Sequence, residues 1–221
     1  MRHVLNRRSF LTAMGVGSLT FLFPRRLAYA KEKRPVAGAL LLARIETPPF
    51  RDSVVLLYEH GGMGSAGLII NKPEHLSLGD IMVRMEAPFR DRPTHQRYAR
   101  SEVLYGGPVE RGRLLSLIHA PPGRWARSWK LGTVAVTQDT SLLRELAAAT
   151  AGVKQVVACL GYSGWAAGQL ESEIAAGHWQ VAYPDPAALP GLLFDTPPCN
   201  RLEKARQLPQ GVPVGIPGRA I

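Results

Sequence analysis

Two histidines stand where a chain could do chemistry. Glu59-His60 closes an apolar run over 53–58 and opens a glycine-rich stretch over 61–66, and His119 ends a second strand-like run over 113–119. Imidazole titrates near neutrality, so His60 and His119, with Glu59 beside the first, are candidates for a general base, a proton shuttle or a metal ligand. Groups at the junction of a strand and a loop are well situated for such work. On a regular strand adjacent side chains point to opposite faces, so one site takes Glu59 or His60 but not both. If their strands are neighbours, His60 and His119 form a pair able to bind a metal or relay a proton. The alternative is two structural imidazoles satisfied by backbone hydrogen bonds.

The better-known signatures fail on inspection. Gly62-Met63-Gly64-Ser65-Ala66-Gly67 matches GxGxxG, but the dinucleotide motif must open a helix. Here Leu68-Ile69-Ile70-Asn71 follows, a β-type run stopped by Pro73. The stretch reads as a loop between strands whose backbone N–H groups, at Gly62 and Gly64, could hold an anion. Ser65 has Met63 two residues before it and Ser163 has Trp165 two residues after it, so neither fits the GxSxG elbow. No Walker lysine and no HExxH is present. The two cysteines, Cys159 and Cys199, make neither a disulfide framework nor a zinc spacing and are read as unpaired thiols. No cofactor and no metal site is predicted.

A binding crevice has more support. Gly161-Tyr162-Ser163-Gly164-Trp165 follows a buried run, and Gly168-Gln169-Leu170-Glu171 begins a helix. A strand, a glycine-rich aromatic turn and a helix N-terminus together frame a pocket with Tyr162, Trp165, Gln169 and Glu171 at its rim. Glu171 and Glu173 lie about 200° apart around a helix and cannot converge on one substrate atom. Trp165 and Trp179 read first as packing residues, and the arginines of 87–101 as solvated.

The elements that must hold these residues follow from hydrophobic pattern. Strands are expected over 36–43, 53–58, 67–71, 102–105, 113–119, 131–137, 154–160 and 178–182. Helices are expected over 78–86, 140–150, 168–176 and 200–208, the third with Leu170 and Ile174 inward and Gly177 at its C-terminal end. Strands outnumber helices without strict alternation, which predicts an α+β domain rather than a doubly wound one. The 221 residues are 46% hydrophobic and 20% charged, enough for one buried core. The net charge of +10 suggests nucleic acid, yet five arginines and no acid fall within 1–30, leaving 22 basic against 17 acidic residues elsewhere. That is an ordinary soluble surface.

Those first thirty residues carry their own message. Asn6-Arg7-Arg8-Ser9-Phe10-Leu11 precedes an uncharged stretch over 9–23, then Pro24, then Ala28-Tyr29-Ala30. The order is that of a twin-arginine export signal cleaved after Ala30. The apolar stretch is short for a bilayer span, although an uncleaved anchor is the alternative. The expected organisation is a signal peptide over 1–30, a domain over 31–208, an extended or disordered tail over 209–221, and a periplasmic location for a mature chain without a transmembrane span.

Four blocks in order complete the picture. They are Glu59-His60 with Gly67-Leu68-Ile69-Ile70-Asn71-Lys72-Pro73; Tyr105-Gly106-Gly107-Pro108-Val109; Leu160 through Trp165 with Gly168-Gln169-Leu170-Glu171, Glu173-Ile174 and Trp179; and Phe194-Asp195. In this order and spacing the sequence closely resembles the YqgE/AlgH family, from about residue 36 to 208. The resemblance implies a single α+β domain with a mixed, partly barrel-like sheet flanked by helices, and it brings no mechanism. The family is uncharacterised as a whole, and some members carry a transcriptional-regulator label. An export signal departs from the typical member and argues against nucleic acid as a partner. The reading that follows is a module that binds a small molecule or a protein partner near Tyr162, Trp165 and Gln169, with Asn71, Gly106 and Gly107 among the contact residues. The alternatives are a histidine-dependent hydrolytic or redox enzyme and a transcriptional regulator.

Overall fold

Runs of aliphatic residues without polar alternation decide the architecture. Leu40 to Leu42, Val54 to Leu57 and Leu68 to Ile70 are buried at every position. Successive strand residues point to opposite faces, so both faces of the sheet must be covered. The computed structural model describes residues 36–85, 97–120 and 125–211, all within the unit Lys33–Ile221. The twin-arginine segment, its cleavage site, most of the 87–101 stretch and residues 212–221 lie outside the described residues.

The strands are β1 (Leu40–Ala43), β2 (Val54–Gly61), β3 (Gly64–Ile69), β4 (Pro73–Ser77), β5 (Glu102–Tyr105), β6 (Val109–His119), β7 (Ser128–Leu131), β8 (Val134–Thr137), β9 (Gln155–Trp165) and β10 (Trp179–Ala182). The helices are α1 (Leu78–Met85), α2 (Ser141–Ala147), α3 (Gln169–Ala175), α4 (Leu189–Phe194) and α5 (Pro198–Arg206). The sheet runs β10-β1-β2-β3-β9-β6-β8-β7, with β5 beside β9 and β4 beside β5. Every pairing is antiparallel except β5 with β9. The α+β class and the mixed sheet are as expected, and the sheet is not closed. It curls far enough for the Tyr58 ring of β2 to meet Trp129 of β7 at 4.7 Å.

Helices cover both faces. On one, α4 and α5 bring Leu189, Leu192, Leu193 and Ala205 onto Leu40, Leu56, Leu68, Leu117 and Cys159. On the other, α1 and α2 pack on Val103, Ile118 and Ala158 at one end of β9, and α3 sets Leu170 on Leu41, Val55 and Ile69 at the other. Strand β9 is the pivot. Its first half lies between β5 and β6, and its last residues pair with β3, Ser65 opposite Trp165.

Several boundaries differ from expectation for local reasons. β1 begins only at Leu40, because Gly38 (φ 93°) turns the chain. The run 131–137 is two strands, β7 and β8, folded back at Gly132 (φ 68°), and β7 starts inside the basic stretch 121–130. Residues 161–165, expected as a turn, extend β9. Helix α4 has no counterpart in the expected pattern because Pro190 reads as a breaker, although proline is tolerated in a first helical turn. Gly177 (φ 78°) does end α3: its N–H donates to the Ile174 carbonyl and that of His178 to the Glu173 carbonyl, a Schellman closure. Residues 209–211 are tied down, with Gln210 bridging Ala182 and Tyr183 N–H donating to the Pro209 carbonyl.

Candidate functional site

The glycine-rich stretch after His60 is a hairpin rather than a loop. Gly61 pairs with Gly64, leaving Gly62 and Met63 as the turn, with Met63 97% exposed. Gly64 (φ 130°) lies so close to β9 that a Cβ there would fall under 3 Å from the Trp165 carbonyl oxygen. Its glycine character therefore answers to strand packing. The second and third sequence blocks meet in the same way. A Cβ on Gly106 or Gly107 would collide with the backbone of Gly161 or Tyr162, and Gly161 (φ 72°) returns the constraint against Gly107. Asn71 is also used internally, accepting from Val54 N–H and donating to the Asp52 carbonyl, both at 2.8 Å.

The two histidines are far apart. His60 belongs to β2 and His119 to β6, with β3 and β9 between them. His119 sits opposite Gln155, the first residue of β9, and His60 opposite Ser65, which faces Trp165, the last. Ten residues of strand at about 3.3 Å each separate those two positions along β9. His119 stacks on Phe194 (5.9 Å, 11°) and has Nδ1 3.3 Å from Gln155 Oε1, while Gln155 donates to Asp195 at 2.7 Å. His60 has Nδ1 2.7 Å from Ser65 Oγ and Nε2 3.7 Å from Glu171 Oε1. Glu59 points elsewhere, as strand alternation requires.

The crevice expected around Tyr162, Trp165 and Gln169 is two cavities, because residues three apart on a strand face opposite ways. The first, of 310 Å³, lies at the mouth of the curled sheet between β2, β3, β6, β7 and β9. Tyr58, Glu59, Arg113, Trp129, Gln138 and Tyr162 line it, with Gly64 and Trp165 at its edge. Arg113 donates to Glu110 at 2.9 Å and to Gln138, and its guanidinium stands 5.9 Å from the centre of the Tyr162 ring. The Tyr162 hydroxyl donates to Glu110 at 3.4 Å. Burial first, then the neighbouring Tyr162, raises the Tyr58 phenol well above its ordinary pKa, so it stays a neutral donor.

The second cavity, also 310 Å³, lies on the α3 side and is lined by Phe50, Trp165, Gln169, Glu173, His178 and Trp179, among others. Glu173 Oε2 accepts from the indole N–H of Trp165 (2.9 Å) and of Trp179 (2.8 Å), and Oε1 accepts from Gln169 (2.9 Å). Burial pushes the Glu173 carboxyl up, but the Trp179, Gln169 and Trp165 donors together outweigh it and hold the group below its usual range. Glu171 and Glu173 do diverge, one towards His60 and the other into the indoles. Sequence reasoning passed over Glu173 as an acceptor. The signal was two tryptophans and a glutamine within eight residues of it.

No disulfide joins the cysteines. Cys159 is fully buried, which pushes its thiol up to about 12, and Cys199 is exposed. Among the described residues no cluster of three histidine, cysteine or acidic side chains could hold a metal, and no helix is long and apolar enough to cross a membrane.

With this geometry in view, the model of the family described as AlgH-like matches residues 40–213. The chain belongs to the AlgH-like family. A UPF0301 protein of Bordetella petrii is 36% identical over 168 residues, 76% of this chain and 79% of that one. The UPF0301 protein AlgH of Pseudomonas aeruginosa is 32% identical over 166 residues, 75% and 83% of the two. The solution structure of the Pseudomonas aeruginosa AlgH protein superposes with a TM-score of 0.64 at 33% identity, covering 79% of this chain and 90% of that one. A Corynebacterium diphtheriae protein shares the fold at 20% identity, with a TM-score of 0.59 over 81% of this chain and 90% of that one. The glycine contacts join the blocks of this AlgH-like chain to one another, so much of its motif content is spent on bringing β5, β6 and β3 against β9.

Proposed function

We propose that this AlgH-like protein is an exported binding module whose ligand lies in the Tyr162 cleft. The observation that carries the reading is the lining of that cleft: Tyr58, Trp129 and Tyr162 offer flat apolar surface, while Glu59 and Arg113 set opposite charges at its edge. Pockets of this size, combining aromatic surface with oriented polar groups at the mouth of a curled sheet, suit a small ligand or a short peptide. A low-molecular-mass extract of the periplasm is expected to raise the melting temperature of the wild-type protein and not that of Tyr162→Ala or Arg113→Ala. Equal shifts in all three would remove the cleft from the account. Export rests on the Arg7-Arg8 segment, and Arg7→Lys with Arg8→Lys is expected to leave the full-length chain in the cytoplasm. Continued appearance of a chain starting at Lys31 in the periplasm would contradict that route.

One contact set favours the histidine-dependent alternative. Ser65 Oγ, His60 and Glu171 stand in sequence, with the hydroxyl 2.7 Å from the imidazole and the carboxylate 3.7 Å beyond it. A serine, a base and an orienting acid are the parts that nucleophilic catalysis requires. Ser65 is 7% exposed and lines the first cavity, from which a substrate would reach it. A fluorophosphonate probe labels an activated serine by displacing fluoride. Labelling of wild type and not of Ser65→Ala supports this alternative, and no labelling removes it.

A further inference from the structure

Glu173 is a partly buried carboxylate held in place by neutral donors. Its two oxygens accept from three donors, the indoles of Trp165 and Trp179 and the amide of Gln169. All three donors are neutral. They orient the carboxylate and favour its ionised form without pairing it to a fixed cation, and His178 nearby favours that form further. Among the described residues no lysine or arginine nitrogen lies within 4 Å of it, and the cavity's only basic lining residue is the exposed His178. The carboxylate is only partly buried, so its charge is available to a cation that enters the cavity beside it.

The space beside it is aromatic. Trp165 and Trp179 meet edge to face at 5.8 Å, Phe50 meets Trp179 edge to face at 5.3 Å, and Phe50 stacks on Trp165 at 6.5 Å. Both indoles turn their electropositive N–H edges to Glu173, and all three rings line the 310 Å³ cavity that the carboxylate shares. Ring faces carry negative potential and attract organic cations, quaternary ammonium groups above all. A metal ion is the wrong occupant: it would need several oxygen or imidazole ligands, and the lining offers one carboxylate already engaged by three donors. An anion would meet Glu173 directly.

We propose that the Phe50–Trp165–Trp179–Glu173 cavity is a binding site for an alkylammonium group. The site shares Trp165 with the edge of the Tyr162 cleft but opens on the opposite face of β9, and it stands whether or not that cleft holds a ligand. Glu173 supplies the charge, the rings supply the surface, and Gln169 and the two indole N–H groups keep the carboxylate aimed without cancelling it.

The test uses tetramethylammonium chloride as the probe and neopentyl alcohol as its neutral counterpart of similar size, with the intact protein at constant ionic strength. Tetramethylammonium is expected to shift the indole N–H resonances of Trp165 and Trp179 and to change tryptophan emission saturably, while neopentyl alcohol does not. Glu173→Gln keeps an acceptor for the indoles but removes the charge, and is expected to weaken the cation by about tenfold or more. Arg113→Ala, in the other cleft, leaves the affinity unchanged. Far-ultraviolet dichroism and the melting temperature establish that each variant is folded. If Glu173→Gln unfolds the chain, Phe50→Leu serves in its place, with weaker cation binding expected. No saturable indole response in wild type, equal binding of the neutral alcohol, or unchanged affinity in a folded Glu173→Gln or Phe50→Leu protein would overturn the proposal.

Discussion

Tyr162 and Trp165 stand three residues apart on the same strand, yet they serve two kinds of site. Around Tyr162 the polar groups are loosely held: Arg113 and Glu110 are both substantially exposed, and the tyrosine hydroxyl reaches Glu110 at only 3.4 Å. Around Trp165 the groups are locked, with three short hydrogen bonds converging on one carboxylate and indoles 7% and 3% exposed. One stretch of β9 therefore builds an adaptable cleft on one face and a preorganised cavity on the other. Surface ion pairs contribute little to stability, whereas part-buried networks contribute much when complete and are costly when broken. The faces are thus expected to respond differently to the same class of mutation.

The largest effect should come from a residue that both faces share. Gly161→Ala puts a Cβ at φ 72° under 3 Å from Gly107. It is expected to cost about 3 kcal/mol or more, or to prevent folding. Urea denaturation measures it, and a wild-type midpoint would show that the two faces do not depend on this crossing. Next, Glu173→Ala leaves two buried indole N–H groups unpaired and is expected to cost about 2–3 kcal/mol with a changed tryptophan emission. A loss as small as that of an exposed residue would erase the contrast between the faces.

That network should also carry a pH signature. The Glu173 carboxyl is held below its ordinary range, so its contribution is fully present above the unfolded pKa and is lost as pH falls through the lower, folded value. Stability of the wild type is expected to fall over that acid window more steeply than that of Glu173→Gln. Parallel curves would mean that the carboxylate is not held as described.

Smaller effects belong to the other face and to the hairpin. Tyr162→Ala is expected to cost about 1 kcal/mol, near the usual value for a point mutant, while abolishing ligand-induced stabilisation. Ser65→Ala removes one hydrogen bond to His60 and is expected to cost about 1 kcal/mol or less. A much larger loss would mean that the Ser65–His60–Glu171 set supports the Trp165 face.

How much of this was legible in the residues depends on how local the cause is. Unbroken aliphatic runs announced β2 and β9, and the spacing of Leu170, Ile174 and Gly177 announced α3 and its end. The sequence blocks marked the region of both cavities. A glycine run signals freedom and predicts a loop at Gly62-Met63, whereas close approach of another strand is invisible in one chain. The glycines of 161–165 predict a turn for the same reason. Pairing of the two histidines required strand order, which no local pattern supplies. Arg201, 1% exposed, was missed because its partners are distant: it donates to the Ile70 and Thr196 carbonyls at 2.5 and 2.9 Å, with Glu102 at 3.6 Å.

Native mass spectrometry of the protein purified from its own periplasm, alongside Tyr162→Ala and Glu173→Gln, tests the Tyr162 cleft most directly. The account predicts a bound species on the wild-type chain that Tyr162→Ala lacks and Glu173→Gln retains. A wild-type chain carrying nothing, or the absence of any species that Glu173→Gln keeps and a folded Tyr162→Ala protein loses, would contradict it.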